Sequence, residues 1–387
     1  MLPDIRLSPD FRIGFIGGGQ LARMSAYQAG RFGFKTGALT SPSGNDPMEA
    51  VTPHTFRGDA NSEETLLELA EWSDVITLEN EFLDANLLRK VSEKSGTPII
   101  PSADAFEKVE DKFIEKTTFS NAGIPVATFA EVKNEADLKS FGAKTGWPYV
   151  LKSAKGGYDG YGNKTVGTVR EAAKAFDDLG GNSGKQIIAE EWVTFEKELA
   201  VIVARNEFGT VIYPCCETIQ ENHICKVVIA PAPVDRHIRK QAEEIAVSAM
   251  EAIGAYGLFA FEFFLTKDGR LLLNESAPRP HNSGHYSIEA CQTSQFENHI
   301  RTISDMKPGS TAMRSPYAVM INMLGKKSGP AIMTGFEALD EFEDTHLHIY
   351  GKQVSRPGRK MGHLTLLGNN PQELLQKARN IESNIYL

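Results

Sequence analysis

Apolar and polar positions alternate in two rhythms along the first hundred residues. Arg12–Ile16 is a short, nearly continuous apolar run of strand type, followed by glycines and then by a segment, 20–32, whose apolar residues recur at helical spacing. Val75–Leu78 and 98–100 read as further short strands, with helical patterns at Glu63–Trp72 and 83–95 between them. Strands alternating with helices predict a parallel, doubly wound α/β sheet, and we bound this first domain at residues 1–106.

The pattern then changes. Segment 111–122 reads as a helix stopped by Gly123 and Pro125, and 149–152 and 186–191 read as strands on either side of a glycine-rich loop. Strands are predicted at 198–203 and 210–214, a helix at Arg236–Ile253, a hairpin at 256–276 and a helix at 287–303. This gives a second domain over 107–306, with a lid around 125–190, and a small α/β domain over 307–387. No internal repeat is visible.

Composition narrows the function classes. The chain has 387 residues, 41% hydrophobic and 24% charged, which fits two or three globular domains. A net charge of -9 gives no footprint for nucleic acid, and no apolar run approaches the length of a membrane span. The four cysteines form no CxxC pair, so free thiols in a reducing compartment are expected, and with no signal peptide in view the cytoplasm is the default setting.

Two glycine-rich segments carry candidate chemistry. Gly17-Gly18-Gly19-Gln20-Leu21-Ala22 lies between a strand and a helix, where glycine lets a ligand approach the backbone and a helix N-terminus favours an anion. Nicotinamide binding would need an acid at the end of the second strand, and Leu39-Thr40-Ser41 has none. The turn is therefore read as a phosphate cradle, with a structural tight turn as the alternative. Gly156-Gly157-Tyr158-Asp159-Gly160-Tyr161-Gly162 cannot form a stable helix, and Lys152 and Lys155 flank it, as suits a polyphosphate. It is not a Walker A motif, and a plain flexible loop is the alternative.

The hairpin is more specific. Asp268-Gly269 is a two-residue turn signal; if it forms the loop, Lys267 pairs with Arg270, and counting back places Glu262 opposite Glu275. Two facing carboxylates in an apolar hairpin repel, so a cation should lie between them. Oxygen-only ligands favour a hard ion such as magnesium. A paired Arg or Lys, or a bulge that moves one carboxylate away, are the alternatives. Beyond Glu275 runs Ser276-Ala277-Pro278-Arg279-Pro280-His281-Asn282-Ser283-Gly284-His285, in which Arg279, His281 and Asn282 could hold a phosphate or ribose. Arg356, Arg359 and Lys360 surround a Pro-Gly turn that either receives a phosphate monoester or is simply a solvated basic turn. Glu190-Glu191-Trp192-Val193, followed by Glu198, is a strand end able to offer backbone hydrogen bonds to a base and a carboxylate to a ribose.

In this order the motifs resemble the ATP-grasp superfamily, and within it the N5-carboxyaminoimidazole ribonucleotide synthetase family, over essentially the whole chain. The resemblance rests on Gly17 to Leu21, Gly157-Tyr158-Asp159-Gly160, Asn274-Glu275, the run from Arg279 to His285, and Arg359-Lys360. It implies an α/β ATP-grasp architecture and ATP-dependent carboxylation, by bicarbonate through carboxyphosphate, of 5-aminoimidazole ribonucleotide. It also implies two magnesium ions and a homodimer. Lys112, Lys152, Gly157, Glu190, Val193, Glu198, His223 and Asn274 would then hold ATP, and Glu262 and Glu275 the magnesium. Gly19, Gln20, Leu21, Glu79, Tyr158, Asp159, Arg279, His281, Asn282, Arg356, Arg359 and Lys360 would surround the ribonucleotide, with Asp159, Tyr158 and Arg279 catalytic. The chain departs from the family at Tyr161, where many relatives carry a basic residue. The rival readings are another ATP-grasp ligase activating formate or an amino acid, a nicotinamide-dependent oxidoreductase, and a non-catalytic nucleotide binder.

Overall fold

A computed structural model describes residues 8–156, 162–339 and 344–386. The N-terminal sheet is wound in the expected way. It runs β1 (Arg12–Ile16), α1 (Gln20–Arg31), β2 (Lys35–Thr40), β3 (His54–Arg57), α2 (Glu63–Trp72), β4 (Val75–Leu78), α3 (Ala85–Ser95) and β5 (Ile99–Ile100). The strands are parallel in the order β3-β2-β1-β4-β5. β4 is buried along its whole length because helices cover both faces.

After α4 (Ala103–Glu107), the next helix is α5 (Lys112–Asn121). The Asp111 side chain caps α5 by accepting from the amides of Phe113 and Ile114, a cap that contributes about 1 kcal/mol. The lid follows: β6 (Phe129–Val132), α6 (Glu135–Thr145), β7 (Tyr149–Ser153), β8 (Asn163–Val166), α7 (Val169–Asp178) and β9 (Ile187–Glu191). Its four strands pair antiparallel in the order β6-β9-β7-β8.

The large central sheet begins with β10 (Phe195–Asn206), β11 (Gly209–Ile212), β12 (Cys216–Glu221) and β13 (Ile224–Ala230). It continues past α8 (Arg236–Ile253) with β14 (Gly257–Thr266) and β15 (Leu271–Ala277). β10 alternates strictly: Leu199, Val201 and Val203 enter the core under α8, whereas Ala200, Ile202 and Ala204 enter the core on the opposite face. Each large apolar side chain buried there contributes about 1.5–3 kcal/mol.

One expectation needs correction. Residues 287–303 are not one helix but α9 (Ser287–Ala290) and α10 (Gln295–Ile303), because Ser294 caps a new start by accepting from the Glu297 amide. The C-terminal part has strands and a helix, as expected of an α/β piece, and most of its strands join the central sheet. β16 (Tyr317–Leu324), β18 (Thr345–Ile349) and β20 (Lys360–Gly368) extend the central sheet, which reads β15-β14-β10-β12-β13-β16-β20-β18. The short pair β17 (Gly329–Pro330) and β19 (Val354–Ser355) stands apart, and α11 (Pro371–Asn384) packs over β16 and β20. Among the described residues no helix is long and apolar enough to cross a membrane, and all four cysteines are free and buried.

Candidate active site

The β14–β15 hairpin does bring Glu262 opposite Glu275, by a different route from the one expected. Its loop has three residues, Lys267, Asp268 and Gly269: the Thr266 amide donates to the Arg270 carbonyl at 3.0 Å, and Gly269 takes φ 81°. That longer loop alone would shift Glu262 to face Asn274. A β-bulge at Asn274 adds one residue to β15 and restores the carboxylate pair. The bulge set aside as an alternative is thus what brings the two acids together.

The pair is electrically unequal. Lys112 donates to Glu275 at 3.1 Å and holds its carboxyl well below the usual range. Removal from water, and then the neighbouring charges of Glu275 and Glu198, push Glu262 well up. Glu198 projects from β10 on the same sheet face, and its recessed position pushes its carboxyl up to about 7. The Asn274 side-chain oxygen is buried without a donor. A cavity of about 10 Å³, room for one water-sized particle, borders Glu198, Glu262 and Asn274. Three acid groups and an orphaned amide oxygen form a surplus of acceptors that fits a hard cation. Among the described residues, no three His, Cys, Asp or Glu side chains gather closely enough to hold a metal ion by themselves.

Cations line the wall toward the lid. Lys152 from β7 lies 2.8 Å from Glu190, and Lys116 from α5 lies 3.4 Å from the same carboxylate. The Lys112 amide donates to the Ala154 carbonyl, which ties the start of α5 to the end of β7. Glu190, expected to flank a base, turns its side chain into this lysine pair. The strand end beyond it opens into a cleft of about 450 Å³ walled by Trp192, Val193, Thr194, Thr266 and Leu272. Val193 lines this cleft between linker and hairpin. His223 sits exposed in the tight turn between β12 and β13, where it and Asn222 both take positive φ.

The second half of the site faces the N-terminal domain. Arg279 makes a two-pronged ion pair with Glu81, at 2.6 and 2.9 Å. His281 is kept neutral, pushed down to about 3 by burial and by the charges of Arg279 and Lys360; its Nε2 lies 3.7 Å from Glu262. It therefore adds no positive charge for a phosphate. Asn282 is buried in a reciprocal amide pair with Asn322 and offers its side chain to β16 rather than to the cleft. With Arg279, these are the residues expected to hold a phosphate or ribose.

Arg356, Arg359 and Lys360 do form a basic turn, closed by the Arg359 amide donating to the Arg356 carbonyl. A fourth cation joins them. Lys352, which donates to the Lys360 carbonyl at 2.8 Å, is pushed down to about 8 by burial and by repulsion from Arg359, Lys360 and Arg356. Sequence reasoning missed Lys352 because β18 was not foreseen. With β18 paired to β20, the chain before Arg359 returns directly alongside it. Four mutually repelling cations gather on one wall, a concentration of positive charge that an anion would offset.

The glycine turn is occupied from within. Glu79, at the end of β4, accepts from the Leu21 amide at 3.3 Å, and a Cβ at Gly19 would stand 2.2 Å from Glu79 Oε1. Gly17 takes φ 115°, a backbone that side chains rarely adopt. The turn therefore cradles a carboxylate of the chain itself, in the place where a phosphate was expected. Gln20 begins α1 beside it, partly exposed. Gly157, Tyr158, Asp159 and Tyr161 lie outside the described residues.

Comparison with known proteins agrees with this layout. The family model for the ribonucleotide synthetase preATP-grasp domain matches residues 11–110, that for the ATP-grasp domain 117–296, and that for the phosphoribosylaminoimidazole carboxylase C-terminal domain 318–377. N5-carboxyaminoimidazole ribonucleotide synthase of Synechococcus elongatus is 36% identical over 98% of this chain and 96% of its own length. The chain belongs to the N5-carboxyaminoimidazole ribonucleotide synthase family. Among solved members of that family, the Thermotoga maritima enzyme is 38% identical with a TM-score of 0.86, covering 97% of this chain and 99% of its own. The Aspergillus clavatus enzyme, in complex with ADP and 5-aminoimidazole ribonucleotide, is 32% identical with a TM-score of 0.87, covering 97% and 98%.

Proposed function

We propose that this chain uses ATP and bicarbonate to carboxylate the exocyclic amine of 5-aminoimidazole ribonucleotide in de novo purine biosynthesis. The products are N5-carboxyaminoimidazole ribonucleotide, ADP and phosphate. One observation carries the reading: the charge of Lys360, from the basic turn it shares with Lys352, Arg356 and Arg359, reaches Glu262, whose partner Glu275 is paired with Lys112. One part suits a ribonucleotide 5′-phosphate and the other a nucleoside triphosphate.

Each part has a separate task. Lys112 and Lys152 are placed to neutralise the phosphates of ATP, while the cleft at Val193 takes the base and Glu198 the ribose. A bicarbonate oxygen attacks the γ-phosphorus and ADP leaves. The carboxyphosphate formed then breaks its C–O bond to release phosphate, and its carbon bonds to the amine nitrogen, which loses a proton. Glu262, Glu275 and the Asn274 side-chain oxygen would hold magnesium, which supplies positive charge against the transferring phosphoryl group. Arg279, fixed by Glu81, orients the ribonucleotide from the other side. In this reading Asp159 accepts the amine proton, and Tyr158 is a second catalytic residue of the same segment. The cytoplasmic setting rests on the free cysteines and the homodimer on the resemblance; light scattering tests the latter.

The decisive measurement is ADP release with magnesium and ATP, in the presence and absence of bicarbonate and 5-aminoimidazole ribonucleotide. Release that requires both, with a carboxylated product, is the expected result. Release driven instead by formate or an amino acid would move the chain to another ATP-grasp reaction.

A further inference from the structure

β15 is the edge strand of the central sheet, and among the described residues its outer side meets an isolated parallel bridge, Val126 with Leu273, in place of a full strand. The bulge at Asn274 adds further unpaired groups at the point where the carboxylate pair is set. Helix α5 meets these groups one by one. Lys112, Glu115 and Lys116 share one face of α5, being separated by three and four positions. Lys116 donates to the Asn274 carbonyl at 3.0 Å. Lys112 donates to the Glu275 carboxylate at 3.1 Å. Glu115 accepts from the Ser276 amide at 2.8 Å and from the Ser276 hydroxyl at 2.6 Å. One helical face thus grips three consecutive residues of the bulged strand. The Leu273 amide before them donates to the Pro125 carbonyl at 2.8 Å.

Lys116 and Glu115 are costly residues to use as packing. Lys116 is 2% exposed, and burying an ammonium needs acceptors that face it. It has two, the Asn274 carbonyl and Glu190, so it joins the bulge to the lid strand β9. Glu115 is equally buried, and its carboxylate holds Ser276 by both amide and hydroxyl. An apolar pair would fill the same volume without this desolvation cost but could not fix the backbone of a bulge.

We propose that Glu115 and Lys116 are positioning residues that clamp the bulge, so that the Glu275 carboxylate and the Asn274 side-chain oxygen converge with Glu262 on a divalent cation. The inference rests on the cation-binding reading of that pair. It assigns no contact with substrate to either residue. Ligand-orienting partners of this kind typically change metal affinity by about ten- to a hundredfold when removed.

The test is ADP affinity by titration calorimetry, once with magnesium and once with a chelator, for the wild-type chain and for Lys116→Met and Glu115→Leu. The magnesium-dependent gain in affinity should fall by about tenfold in both variants, while the metal-free affinity stays within about twofold. Equal losses in both conditions, or an unchanged gain in the folded variants, would overturn the proposal. Should the variants fail to fold, Ser276→Ala decides, since it deletes one hydroxyl held by Glu115. A fall in the gain by about threefold supports the clamp, and no change overturns it. A wild-type chain that gains nothing from magnesium also overturns it. Because the readout is binding, a chain that binds magnesium-ADP yet does not carboxylate the ribonucleotide sinks the proposed function and leaves this comparison standing.

Discussion

The glycine turn at 17–19 and the bulged hairpin at 257–277 invite opposite ligands, and the chain treats them oppositely. The turn presents a helix N-terminus to an anion, and Glu79 already supplies one from within the protein. The hairpin gathers Glu262, Glu275 and the Asn274 oxygen, and that oxygen has no donor within the described residues. A motif shaped for a ligand is evidence of a site only after its internal partners have been counted. Unmet hydrogen-bonding and charge demand is the better sign, because burying such groups without a partner is costly.

Four changes would break or sharpen that contrast. The largest effect is expected from Glu275→Gln, which removes the hairpin's demand for a cation. ADP release should fall by on the order of 10²–10³-fold while the circular dichroism spectrum and unfolding transition stay cooperative. Near-normal turnover would remove Glu275 from the cation site.

Arg279 comes next, because it stands between the two regions and feels the charges of both Glu79 and Glu262. Lysine cannot reproduce its two-pronged hold on Glu81. Arg279→Lys should lower kcat/KM for the ribonucleotide by about ten- to a hundredfold and leave ADP affinity unchanged. An equal loss of ADP affinity would place Arg279 in the nucleotide half instead.

Gly19→Ala probes the occupied turn. The new methyl would meet Glu79 Oε1, so unfolding free energy should fall by about 1–3 kcal/mol in urea denaturation. Adding Glu79→Ala should recover part of that loss, since it clears the space. Additive losses would show that the turn rejects a side chain for another reason.

The smallest effect is electrostatic. Burial pushes the Glu79 carboxyl up to about 7 from its ordinary 4.5, with Arg279 acting against the shift. An acid raised on folding is neutral in both states below its unfolded value and carries no penalty there. Folding stability is then lost as pH rises through 4.5 toward about 7. Glu79→Gln should therefore exceed the wild type by on the order of 1–2 kcal/mol near pH 8, with the gap closing near pH 5; residual exposure of Glu79 keeps the figure below the full shift. A constant gap across that range would mean that Glu79 does not titrate there.

Local signals carried most of the fold. Arg12–Ile16, Glu63–Trp72, Val75–Leu78 and Arg236–Ile253 were readable because strand and helix periodicities are written within a single segment. The site motifs were legible for a related reason: glycines, paired acids and Arg-Pro-His runs are chemically distinctive wherever they fall. The break before α10 escaped because Ser294 restarts a helix inside an otherwise continuous pattern. The Glu262–Glu275 register came out right through two features that cancel, a loop one residue longer than expected and a bulge one residue deep.

What the sequence determined alone was the kind of elements, their order, and which residue types were available for phosphate and cation chemistry. Only tertiary structure decided which of those groups remain open to a ligand. Glu79 closes the glycine turn, Asn322 engages Asn282, Lys352 joins the basic wall, and Glu115 and Lys116 grip the bulge. Each of these partners comes from a separate segment of the chain, from Lys352 beside Lys360 to Glu115 and Ser276 far apart. Nothing in a local pattern encodes such pairings, because they arise from the packing of whole elements rather than from the spacing within one.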